Sequence, residues 1–83
     1  MVTQIVKVTR IDTFGWPRYL EFDAHIVRKI DDNPLGREMY GCVTYDPFEM
    51  DTITRAFAEE TPVKLSVNPS DEYWHVKGCE LAD

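Results

Sequence analysis

Alternation is the dominant pattern of this chain. Between residues 19 and 30, Leu20, Phe22, Ala24 and Ile26 fall on one side of an extended backbone and Glu21, Asp23 and His25 on the other. That is the period of a strand with one face in a core and the other in water. Residues 4–11 are rich in β-branched side chains, and residues 37–45 carry a third extended run. The second and third runs are joined by the turn-rich link Asp31, Asp32, Asn33, Pro34, Leu35 and Gly36, so the middle of the chain predicts a long hairpin. Further on, Val63, Leu65 and Val67 alternate with Lys64 and Ser66, the segment Asn68, Pro69, Ser70 and Asp71 turns the chain, and residues 73–81 return. In this last run the apolar phase switches from Trp74 and Val76 to Cys79 and Leu81, which predicts a bulge at Gly78.

Between the third and fourth extended runs the period changes to that of a helix. Asp46 offers a carboxylate to the free amides of a first turn. Pro47 suits the first helical position, where its missing N–H has no intrahelical partner to lose, and it biases Asp46 toward an extended conformation. Glu49 stands where it can reach back to the amide of Asp46, and Tyr45 and Met50 stand where a hydrophobic staple brings two side chains together. Met50, Ile53 and Phe57 recur on one face, and Thr61 and Pro62 stop the run. These signals predict a helix over residues 47–60.

The order is strand, strand, strand, helix, strand, strand, an α+β chain. In element order alone it resembles an OB-like barrel, in which one helix plugs the gap between the third and fourth strands. A small antiparallel five-stranded open sheet with a helix on one face gives the same order, so both architectures stand. With 83 residues the chain makes one domain and buries roughly two thirds of its unfolded surface. A hydrophobic fraction of 43% with ten aromatic residues excludes a disordered chain. No apolar run approaches the ~20 residues of a membrane-crossing helix, and residues 1–10 lack the apolar stretch of an export signal. A cytoplasmic protein that does not enter a membrane is expected.

Catalytic and metal-binding patterns do not assemble. Two cysteines, Cys42 and Cys79, in a chain read as cytoplasmic are expected as reduced thiols at half-buried strand positions. His25, Cys42, His75 and Cys79 contain no closely spaced ligand pair, and four residues of strand between His75 and Cys79 span about 13 Å, too far for both to reach one ion easily. Ser70, Asp71 and His75 straddle a turn without the surroundings of an activated nucleophile. Gly15, Gly36, Gly41 and Gly78 are isolated and form no phosphate-cradling loop. No enzyme, cofactor or metal is expected.

Charge sharpens the expectation about partners. Residues 1–45 carry six acids and six bases, whereas residues 46–83 carry nine acids and three bases, so the net charge of −6 lies wholly in the second part. Glu59 and Glu60 fall in the last helical turn, where negative charge opposes the helix dipole. With Asp71 and Glu72 they form one candidate contact surface, docking on a basic partner, against the plainer reading of an acidic face that maintains solubility. The second candidate is the segment Asp12, Thr13, Phe14, Gly15, Trp16, Pro17, Arg18. Its aromatics serve either as anchors for a partner or as a lid over the end of a small barrel.

The favoured function is therefore a non-catalytic protein-binding module, an adaptor, assembly subunit or inhibitor. Its partner-binding residues are Phe14, Trp16, Arg18, Glu59, Glu60, Asp71 and Glu72. The alternative is a single-stranded nucleic-acid binder that stacks bases on Trp16, Tyr19, Tyr40 or Trp74, with Arg10, Arg18, Arg28 and Arg37 along the backbone path. The overall negative charge weighs against it. A second copy of the chain, pairing with an edge strand, is also a candidate partner.

Overall fold

The computed structural model describes residues 2–30, 38–69 and 74–82. Five strands and one helix follow the expected order: β1 (Val2–Asp12), β2 (Leu20–Lys29), β3 (Glu38–Thr44), α1 (Pro47–Glu59), β4 (Val63–Pro69) and β5 (Trp74–Leu81). The expected turn over residues 31–36 lies outside the described residues, and so do Ser70 and Asp71 of the second expected turn. Asn68 and Pro69 prolong β4 instead of turning the chain.

The strands close into a barrel in the order β1-β2-β3-β5-β4, which settles barrel against open sheet. The expectation of a wholly antiparallel sheet is corrected: β3 and β5 run parallel, with Cys42 opposite Trp74 and Val43 opposite His75. Counting gives the physical reason. Directions can alternate around a closed ring only when the number of strands is even, so a closed ring of five must contain a parallel pair. Because β5 lies between β3 and β4 in the ring, the chain leaving β3 has to cross β5 to begin β4. That crossover is α1, which packs against β5 and β1.

Bulges bend the strands enough for so few to close. In each, one extra residue shifts the pairing register: Thr9 in β1, Val27 in β2, the Tyr40–Gly41 step in β3 and Lys77 in β5. The expected bulge near Gly78 is thus present one residue earlier. In β3 the insertion turns Met39 and Cys42 inward and leaves Tyr40 outside. Gly41 carries it with φ 71°, a left-handed conformation that costs glycine little, and donates its amide to Asp23 Oδ1 at 3.0 Å.

One core fills the barrel. Leu20, Phe22, Ala24 and Ile26 point inward as expected, with Val63, Leu65 and Val67 opposite and Met50, Ile53 and Ala56 of the helix closing over them. Gln4 takes an inward β1 position and is fully buried; its Oε1 accepts the Ile30 amide at 2.6 Å, tying down the chain where it leaves β2. Cys42 and Cys79 are both free thiols, the first fully buried rather than half-buried. Burial pushes each up to about 12, with Asp23 adding to the effect at Cys42 and Glu49 at Cys79.

The helix start departs from expectation in its wiring. Asp46 caps it, with Oδ1 accepting the Phe48 amide at 2.8 Å and the Glu49 amide at 3.2 Å. Glu49 was expected to accept the Asp46 amide, but that amide goes to Thr44 Oγ1 at 3.2 Å, and the same hydroxyl donates to Glu49 Oε1 at 2.6 Å. A hydroxyl both donates and accepts, so the buried Thr44 serves the amide and the carboxylate at once. Tyr45 is exposed and its ring stands against Tyr19, while Met50 lies in the core. Ala56 takes the buried place expected for Phe57, which is exposed. The helix ends at Glu59, and Glu60 leaves it in the left-handed conformation, φ 56° and ψ 36°.

Candidate partner-binding site

β1 ends beside the start of β2, with Asp12 opposite Glu21, and the start of β2 lies beside the end of β3, with Leu20 opposite Thr44. Residues 13–19 and the junction from β3 into α1 therefore share one end of the barrel. The loop is built from local hydrogen bonds. Asp12 Oδ1 accepts the Phe14 amide at 2.9 Å, Thr13 accepts the Trp16 amide at 3.0 Å, and the Gly15 carbonyl accepts the amides of Arg18 at 2.9 Å and Tyr19 at 3.2 Å. An aspartate bonded to an amide two residues ahead is a common way to set such a turn. Gly15 is required by closeness, since a Cβ there would lie 2.2 Å from Tyr19 Cζ. The glycine backbone thus backs one side of the Tyr19 ring.

On this frame the apolar side chains point out. Phe14 is 92% exposed and Trp16 49%, so Phe14 does not lid the barrel. Beyond β3, Tyr45 is 65% exposed and Phe48, in the first helical turn, 85%. Tyr19, partly buried against the core, brings its ring centroid to 5.9 Å from that of Tyr45 with the planes at 50°. Tyr19 also divides two hollows. One, of about 380 Å³, is lined by the loop itself, from Phe14 to Tyr19. The other, of about 210 Å³, is lined by Tyr19, Glu21, Val43 and Tyr45.

The residues singled out from sequence separate into two places. Phe14, Trp16 and Arg18 come together in the loop. Glu59 and Glu60 stand at the far end of the 13-residue helix, about 20 Å from its start at 1.5 Å per residue. Both have cations near: Arg55 Nε is 3.3 Å from Glu59 Oε2, and Lys7 Nζ is 3.9 Å from Glu60 Oε1. Asp71 and Glu72 lie outside the described residues. Tyr45 and Phe48 were missed, although one signal was present: Phe48 falls off the face defined by Met50 and Ile53, so an apolar side chain there has no core to enter.

Of the residues suited to nucleic-acid binding, Tyr40 and Trp16 are exposed, but Tyr19 and Trp74 pack against the core. Arg10 donates from Nε to Asp23 Oδ2 at 2.8 Å and lies 3.9 Å from Asp12 through Nη1; Arg37 lies outside the described residues. Burial acts to raise the Asp23 carboxyl, yet the hydrogen bonds from Arg10 and the Gly41 amide outweigh it and hold the group below its ordinary value. Among the described residues, no three His, Cys, Asp or Glu side chains gather as a metal site would require, and no helix is long and apolar enough to cross a membrane. No protein-family model, curated protein or solved structure matches the chain.

Proposed function

We propose that this chain is a non-catalytic protein-binding module, an adaptor, assembly subunit or inhibitor, and that it docks on a basic surface of a protein partner through the aromatic end of its barrel. The observation that carries this reading is the concentration of exposed rings there, Phe14, Trp16, Tyr45 and Phe48. Large aromatics held outside a core are costly in water and are the side chains that most often dominate binding energy. The loop is fixed by its own hydrogen bonds, so little ordering remains to oppose association. The net charge of −6 favours encounter with a positive surface.

The test is capture of partners from the native lysate by the wild-type chain and by the double variant Phe14→Ala/Trp16→Ala, after nuclease treatment and across a salt series. A nuclease-resistant protein partner is expected, held at least tenfold more weakly by the variant, as loss of anchor side chains implies. Equal capture by the variant overturns the docking surface. Loss of every partner on nuclease treatment moves the function to single-strand binding.

A further inference from the structure

The hollow between the two tyrosines has a chemistry of its own. Among the described residues its walls are Tyr19 and Tyr45, tilted to one another, with Val43 and Glu21 beside them. Ring faces carry the negative end of an aromatic quadrupole and attract cations. Glu21 adds a formal negative charge, and among the described residues its carboxylate has no hydrogen bond or ion pair. Arg10, whose charge reaches it, is already hydrogen-bonded to Asp23. Two β-strand neighbours therefore differ in an informative way: among the described residues, Asp23 has a hydrogen-bonded cation and Glu21 has only the more distant charge of Arg10.

We propose that this hollow receives one cationic side chain, an arginine or lysine, of the partner protein, a specific form of the protein-binding function proposed above. Size agrees, because about 210 Å³ lies below the ~300–1,000 Å³ of typical small-molecule pockets and suits a single side chain. Rigidity agrees as well. Glu21 and Val43 face each other across the β2–β3 ladder, Gly15 backs Tyr19, and Tyr45 follows directly on β3. An anion has no cation to meet among the described lining residues.

The experiment is an NMR titration of the whole chain, following the ring signals of Tyr19 and Tyr45. Four probes are compared: the Nα-acetyl methylamides of arginine, lysine and uncharged norleucine, and thymidine monophosphate. Saturable shifts are expected with the two cations, and binding at least fivefold weaker with norleucine and the nucleotide. Glu21→Gln, which keeps the shape, and Tyr45→Ala, at an exposed position, are each expected to weaken the cations at least fivefold. Equal binding of norleucine or the nucleotide, cation binding unchanged in Glu21→Gln, or no saturable shift with either cation overturns the proposal. If the probes fail while Phe14→Ala/Trp16→Ala still loses its partner, only this pocket is wrong. If the probes bind while that variant keeps its partner, the docking surface is wrong instead.

Discussion

Asp23 shows how much one outward-facing strand residue can organise. Its side chain is 13% exposed, and it joins Arg10 of β1 to the left-handed Gly41 of β3. Asp23→Asn is expected to destabilise the fold by about 1.5–3 kcal/mol, the range for hydrogen bonds to a charged group. Because the folded carboxyl titrates below its ordinary value of 3.8, its contribution is fully present above that pH and is lost as pH falls through the lower folded value. Urea midpoints measured from pH 7 downward should therefore converge for wild type and variant in acid. Glu60 presents the opposite case. It holds a left-handed conformation that favours glycine, while its ion pair with Lys7 is long and exposed and contributes little. Glu60→Gly should raise stability by about 0.5–1 kcal/mol, read as a higher thermal midpoint; a lower midpoint would mean that the carboxylate matters more than the backbone.

Among the elements, the β3–β5 seam stands apart. Among the described residues it rests on two registered pairs, whereas β1 and β2 share eight and β4 and β5 seven. Opening free energy follows such local support, so amides in the seam should exchange with solvent sooner than those in the middle of the β1–β2 ladder, as native-state hydrogen exchange would report. Equal protection across the two would show that the barrel opens only as a whole. The parallel seam was beyond the reach of alternation alone, because periodicity reports which face of a strand is buried and says nothing of its neighbours. The bulges were more legible than they were read to be. Val76 and Cys79, three apart, pointed to one; Val8 and Ile11, and Met39 and Cys42, repeat the same spacing and accompany two more. The helix was legible to within a residue, since Asp46 and Pro47 act locally. Its hydrogen-bond wiring was not, because Thr44 competes with Glu49 for the same amide from outside the helix.

For the molecule as a whole, the candidate surface was half legible. The loop around Phe14 and Trp16 announced itself by packing large rings into a segment of turn residues. Tyr45 and Phe48 joined it only because strand pairing brings the end of β3 to the same end of the barrel. The acidic pair at the far end of the helix belongs elsewhere and has Arg55 and Lys7 close by. With Phe14 almost wholly exposed, Phe14→Ala should shift the thermal midpoint by less than about 4 °C, since surface substitutions lie mostly within ±0.5 kcal/mol; a larger loss would restore the loop to a structural role. One buried group offers a different use. Cys42 lies in the β3–β5 seam opposite Trp74, shielded from solvent and kept protonated by a pKa of about 12, so an alkylating reagent meets a reactive thiolate there only after the strands part. In a Cys79→Ser chain, the labelling rate of Cys42 becomes a stopwatch for the breathing of the barrel, and a bound partner that braces that seam should slow it.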